Sequence, residues 1–446
     1  MKPMMKLLCN SLLLLVFAAI CNSTVAQGKD IQKSFKWQYN VNNDANVVFE
    51  NYDCDLVIHT WDKGEVEYIM TVDISMKSAE DASYLSNYIE DLEFTSSEGS
   101  VTIMNRFWRS RVNIMGIKTI DLIAGKKLRY NDFNMKGELW VPADCNLQLR
   151  SKYSRIDLEG IKGPLDLDLY NDKIYGVECG DKVRIAAKYS TVELKDLHEV
   201  TVNLYNTDLY AGNLGNLSGE SKYSKIYGND AGRIEINSYN DKYTFESTTD
   251  VKFEAKYSDF ISGKSSDIDM DCYECTVTID DVEDIEIASK YTKYQFGKAG
   301  NCTISSSYND KINTSLLNTL NVAQSKYGNY TIDELISSLR VDDGYEDKFT
   351  VVRSGSYFKG VKVNGKYIDV VLGLPEELDF RFKANIKYAD LDINEEALTT
   401  RIKVVEGSQL EYDAVKGTEK EGMPLIEITG YEMSLKITAL QELPKL

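Results

Sequence analysis

The chain has 446 residues, a net charge of −19 and only two histidines, with 43% hydrophobic and 27% charged residues. That length holds two or three ordinary domains, or one long repeat domain with caps. The charge argues against nucleic acid and anionic lipid as partners, because both are bound through clustered Lys and Arg.

Residues 1–26 read as a signal peptide. Lys2 and Lys6 precede an apolar run over 7–20, and Thr24-Val25-Ala26 supplies small residues before Gln27. The expected location is therefore outside the cytoplasm: periplasm, outer-membrane surface or extracellular space. Lipidation at Cys21 is disfavoured by the bulk of Ile20, and no later stretch has the roughly 18 apolar residues of a transmembrane span. Six cysteines follow the leader: Cys54, Cys145, Cys179, Cys272, Cys275 and Cys302. An oxidising compartment permits disulfides, but the number is too low for a disulfide framework. Cys272 and Cys275 form a lone C-x-x-C, without the second pair that zinc needs or the βαβ setting of a redox motif.

Residues 27–145 read as an N-terminal β cap. Alternating segments such as "NVVFENYDCDLVIHTW" and "EVEYIMTVDI" predict strands. One helix is predicted over 78–91, with Ser78 as its N-cap and Asp81 three residues on. "NRFWRSRV" at 105–112 is a locally basic, aromatic stretch, read as a cap strand with a contact patch as the alternative.

Residues 146–350 are dominated by a repeat. One column runs Lys152, Tyr170, Lys188, Tyr205, Lys222, Tyr239, Lys256, Tyr273, Lys290, Tyr308 and Lys326, and Tyr345 follows. The next column alternates in the opposite sense: Tyr153, Asn171, Tyr189, Asn206, Tyr223, Asn240, Tyr257, Glu274, Tyr291, Asn309, Tyr327 and Glu346. A third is mostly Ser or Thr against Asp, as in Ser190, Thr207, Ser224, Asp241, Asp310 and Asp347. Steps of about 17 residues, with period-two apolar alternation on both sides of the corner, predict an all-β, parallel β-solenoid. Equivalent residues then stack near 4.8 Å. At that spacing two lysines would repel by about 1 kcal/mol even in water, so interposed tyrosines relieve the clash and offer each ammonium a ring above and below. The Lys/Tyr column is expected to point outward as a possible ligand-contact stripe. The Tyr/Asn column is expected at or just inside the bend, with Asn capping free backbone groups. Residues 351–446 return to longer strands and read as C-terminal β rungs and a cap; "GYEMSLKI" at 430–437 echoes the corner.

The entering strands "VVFENYDCDLVIHTWDKGEVEYIMTV", the leader ending at Ala26-Gln27 and rungs such as "YSRIDLEGIKGPLDLDLYNDKIYG" resemble the exported "putative adhesin" domain-of-unknown-function family. This family, the head-GIN or auto-transporter adhesin head, is abundant in Bacteroidetes-type bacteria. The resemblance spans about residues 34–440 and implies a right-handed β-helix at the cell envelope, with no established activity. The Tyr and Lys corners depart from the Gly- and Ser-rich rungs usual in that family.

Catalytic signatures are absent from the sequence. His59 and His198 stand alone, no G-x-S-x-G occurs, and "AGKK" at 124–127 lacks the upstream glycine of a phosphate loop. Asp267, Asp269 and Asp271 open like a calcium loop, but Cys272 and Thr278 replace its Gly and Glu. The reading is a non-enzymatic exported scaffold for adhesion or recognition of a glycan or envelope protein, without cofactor, catalytic residue or metal. A carbohydrate-active β-helix enzyme and a purely structural envelope protein are the alternatives.

Overall fold

The computed structural model describes residues 29–440 apart from Glu178. The leader at 1–26, with Cys21, lies outside the described residues. The protein is all-β, with parallel strands stacked into a β-solenoid whose rungs are about 18 residues long, and with one short α-helix. Among the described residues no helix is long and apolar enough to cross a membrane. The chain divides into two compact units, Met1–Glu159 and Gly160–Leu446.

In the second unit each rung places one apolar residue over the same place in the next. A single inner file runs Leu165, Val183, Val200, Leu217, Ile234, Val251 and Ile268, and continues through Ile285, Cys302, Leu320 and Leu339. Every member of this file is buried, and each aliphatic one contributes about 1.5–3 kcal/mol on leaving water. Beyond the corner a second buried file runs through Ile174, Val192, Leu209, Ile226, Tyr243 and Phe260. Early rungs break into short strands such as Thr191–Glu193 and Asp208–Tyr210, whereas later ones are continuous, as in Lys242–Lys256 and Asn329–Tyr345.

The C-terminal end departs from chain order. Strand Leu425–Leu440 pairs in parallel with Gly360–Lys366 and Asp369–Pro375 on one side and with Phe380–Asp392 on the other. Strand Leu425–Leu440, the last among the described residues, thus fills a place that residues 376–424 skip. Gly430 makes this close stacking possible: its φ is +142, and a Cβ there would lie 1.9 Å from the carbonyl oxygen of Gly365. Strand Gln409–Lys416 then covers Phe380–Asp392 in antiparallel fashion and is itself covered by Leu398–Glu406, an antiparallel closure of an otherwise open parallel edge.

The first unit combines rung-like stacks with an antiparallel layer. Strand Asn46–Tyr52 lies in parallel between Asn146–Lys152 and Ser100–Met104, and Asp55–Trp61 lies between Arg155–Leu158 and Lys127–Pro142. The antiparallel layer runs from Asp30–Asn40 through Glu65–Met76, Lys127–Pro142 and Ile117–Leu122 to Trp108–Ile114. The predicted helix forms over Ala79–Glu90. Ser78 caps it by accepting from the Asp81 N–H, Glu80 and Asp81 sit in its first turn, and Ala82, Leu85 and Ile89 form its buried stripe.

Candidate functional site: the tyrosine corner

Four consecutive residues make each corner: an inward one, two outward ones and a second inward one. The first outward place is the Lys/Tyr column and ends a strand. At the second outward place the backbone turns left-handed, with φ between 48° and 62° at every corner from Asn171 to Tyr388 and at Glu432. Asn tolerates this conformation, but for a bulky residue such as Tyr it costs on the order of 1–3 kcal/mol. Here the structure corrects the sequence reading. The Tyr/Asn column does not lie inside the bend; the left-handed turn throws it outward beside the Lys/Tyr column. Tyr189 and Tyr223 are 45% exposed, more than Tyr205 and Tyr239 at 37%, while Tyr170, Tyr273 and Tyr308 are half-buried. The most open rings of the face were therefore left out of the predicted stripe. Their signal was present in the repeat, but Tyr is not a residue from which positive φ is expected.

The two columns interlock. In the second unit Tyr170, Tyr189, Tyr205, Tyr223, Tyr239 and Tyr257 meet edge to face in succession, and the ladder continues through Tyr273, Tyr291, Tyr308, Tyr327, Tyr345 and Tyr367 to Tyr431 and Tyr388. Neighbouring centroids lie 5.3–6.0 Å apart at interplanar angles of 72–88°. Each interior ring thus makes two such contacts, worth about 0.5–1.5 kcal/mol apiece, which offsets the backbone strain. Ring-on-ring contact, and not the expected ammonium-on-ring contact, dominates. Lys326 sits 4.8 Å from the Tyr327 and Tyr345 centroids, and Lys387 5.5 and 5.8 Å from those of Tyr388 and Tyr431. Lys188, Lys222, Lys256 and Lys290 extend into solvent. In the first unit, Lys152 lies opposite Tyr52 in the parallel register, and Tyr52 and Tyr153 meet edge to face at 5.6 Å.

The third column fixes the turn from within. Asp172, Ser190, Thr207, Ser224 and Asp241 are buried, and each backbone N–H donates to the side chain one rung on: Asp172 to Ser190, Ser190 to Thr207, Thr207 to Ser224, Ser224 to Asp241 and Asp241 to Ser258. The residues expected to cap the bend were the asparagines; the buried Ser, Thr and Asp do so instead. Asp241 also accepts from the Tyr239 N–H, the Ser238 hydroxyl and the Tyr243 phenol. Burial pushes the carboxyls of Asp241 and Asp310 above their usual range and that of Asp347 up to about 6, against the lowering effect of the hydrogen bonds they accept.

Two open troughs flank the ladder. One, of about 430 Å3, is lined by Glu220, Asn237, Glu254 and Asp271 beside Lys222, Tyr239, Lys256 and Tyr273. The other, of about 450 Å3, has Tyr291 and Tyr327 with Asn309 between them and Lys293 and Lys311 alongside. Partial burial, followed by the neighbouring rings, pushes the phenols of Tyr223 and Tyr291 above their usual value, so at neutral pH they stand as neutral hydroxyls able to donate or accept.

The remaining sequence candidates stay apart. His59 packs on Trp140 with a ring separation of 4.1 Å and lies 3.0 Å from Glu159, and His198 is exposed. Asp267, Asp269 and Asp271 share one exposed outward face, and no group of three metal-ligating side chains forms among the described residues. All six cysteines after the leader are free thiols.

No protein-family model matches the chain, and no curated protein matches it. Among solved structures, it is similar to one described as a "putative cell adhesion protein" from Clostridium sporogenes, at 10% identity and a TM-score of 0.16, with 92% of this chain and 100% of that one covered.

Proposed function

We propose that the protein is an exported, non-enzymatic surface scaffold of adhesin type, and that its tyrosine corner recognises an extended glycan. The observation that carries this reading is the second outward column. In it, exposed rings recur every second rung with Asn or Glu between them, and lysines stand beside them on the adjoining column. Stacked equivalents are about 4.8 Å apart, so these rings recur at about 9.6 Å along a straight line. A polymer of flat, hydroxyl-bearing units can lay apolar ring faces on such a file and donate to or accept from the phenols and amides between them. An envelope protein presenting an extended edge is the second partner the face admits, through the same phenols and the acidic trough beside them. The leader and the family resemblance support export to the envelope.

A glycan array probed with the protein tests the proposal. Binding should fall at least tenfold when Tyr189, Tyr223, Tyr257 and Tyr291 are all replaced by Asn, a residue that suits the left-handed turn. An unchanged binding profile in a variant that still unfolds cooperatively would remove the corner from the function.

A further inference from the structure

The first unit carries a feature that the corner does not use. Strands Trp108–Ile114 and Ile117–Leu122 form a hairpin closed by Met115 and Gly116, with φ of +49 and +80. Two positive φ values make this a primed two-residue turn, the setting in which Asn-Gly or Asp-Gly is favoured. Met stands there instead, in a strained conformation, and is 99% exposed. Ile114 and Ile117 beside it are 63% and 54% exposed, and Val112 and Ile123 are exposed as well. The tip therefore accepts backbone strain in order to hold apolar side chains in water, for which folding returns nothing.

Below the tip the charge reverses. From residue 105 to 129 the only acid is Asp121, set against Arg106, Arg109, Arg111, Lys118, Lys126, Lys127 and Arg129, in a chain of net charge −19. Two of these cations are committed to ion pairs, Arg111 with Asp53 and Lys126 with Asp81. Arg111 also packs over Trp108 and Phe133, Arg106 lies over Tyr52, and Arg106 and Arg109 donate to backbone carbonyls that fix the hairpin base. Lys127 and Arg129 are exposed, Lys118 is half-buried and donates to the Asn131 carbonyl, and among the described residues none of the three forms an ion pair.

We infer that this hairpin is a docking tip for an anionic lipid surface, with Ile114, Met115 and Ile117 entering the interface and the basic stem facing the headgroups. An apolar tip above a basic stem is an arrangement that suits an interfacial anchor. The net charge of the whole chain argues against such a surface, and the hairpin is the local exception to it. The inference does not depend on the corner or on its ligand.

Co-sedimentation of the full chain with phosphatidylcholine vesicles containing about a third phosphatidylglycerol tests it. Binding is expected with these vesicles and not with phosphatidylcholine alone, and it should weaken as salt rises. Met115→Asn suits the turn better than the native residue, so the hairpin survives it; with Ile114→Ser it should weaken vesicle binding by roughly tenfold or more. Met115→Trp should shift its fluorescence to the blue when anionic vesicles are added. Absence of vesicle binding, equal binding to neutral vesicles, or binding indifferent to the tip variants would each overturn the inference, as would capture of an envelope protein by the tip without any lipid binding.

Discussion

The middle rungs and the C-terminal end of the second unit show the same corner built in two ways. Between Tyr170 and Tyr345, chain order and spatial order coincide, so the alternation of Lys and Tyr could simply record duplication of a two-rung unit. At the C-terminal end the orders part. The sequence gives Lys366-Tyr367, then Lys387-Tyr388, then Tyr431-Glu432. In space, Tyr431 stands opposite Lys366 on one side and Lys387 on the other. Two successive Lys corners are thus separated by a Tyr corner that arrives from the end of the chain, and the ring ladder continues from Tyr367 to Tyr431 to Tyr388. What alternates is what is stacked. This follows from electrostatics: lysines one rung apart repel by about 1 kcal/mol, whereas two rungs, about 9.6 Å, approach the screening length of physiological salt.

The interiors of the two regions differ. In the middle rungs the closing place is Ser, Thr or Asp except at Cys275 and Gly328; at the C-terminal end it holds Ile368 and Met433, both buried and apolar. The left-handed turn is the same in both, so the polar ladder is not what permits the turn, although the rungs that have it depend on it. The largest expected effect follows. Asp241→Ala leaves the Ser224 and Tyr239 N–H groups and the Ser238 and Tyr243 hydroxyls without their acceptor, and should cost about 4 kcal/mol in denaturant unfolding. A cost below about 1 kcal/mol would mean that the ladder is incidental. The alternation is next. Tyr205→Lys and Tyr431→Lys each place three lysines on adjacent rungs and delete two ring contacts, so each should cost about 3 kcal/mol. A costly Tyr205→Lys beside a neutral Tyr431→Lys would return the alternation to chain history.

Asp347 gives a smaller and pH-dependent effect. Its carboxyl titrates near 6 in the fold against 3.8 ordinarily. The folded state therefore holds this proton more tightly than the unfolded chain. The stability it contributes is complete below about pH 4 and is lost as pH rises through about 6. The stability difference between the native protein and Asp347→Asn should fall by about 2 kcal/mol from pH 4 to pH 7. A pH-independent difference would refute the assignment.

The solenoid, the place of each rung and the outward Lys/Tyr column were legible because period-two alternation and a strict repeat are local signals. The helix was legible from Ser78 as its N-cap and Asp81 three residues on. Insertion of Leu425–Leu440 was not, because every rung has the same apolar pattern and parallel pairing does not reveal which neighbour a strand takes. "GYEMSLKI" carried the hint as a Tyr corner following two Lys corners. The antiparallel layer of the first unit was hidden for a related reason: strands such as Glu65–Met76 alternate as rung strands do. At the corner, propensity misled. Asn at the second outward place suggested a cap and a column at or just inside the bend, whereas Asn and Tyr both occupy one outward, left-handed place for different reasons.

That difference defines the finest test. At the second outward place Asn relieves strain and Tyr earns ring contacts, so the two should nearly balance. Tyr223→Asn lowers the backbone cost but removes the edges shared with Tyr205 and Tyr239, for a net destabilisation of about 1 kcal/mol. Asn240→Tyr adds strain, and its ring would enter a stack already closed between Tyr239 and Tyr257 at 5.5 Å, so it should also destabilise. Tyr388→Asn at the C-terminal end relieves the same strain but loses only the contact with Tyr431 among ladder rings, so it should cost about 1 kcal/mol less than Tyr223→Asn and come out near neutral, because the terminal ring of the ladder has a neighbour on one side alone. Equal costs at 223 and 388 would show that the rings do not act through their neighbours, and the ladder would then be a row of independent side chains.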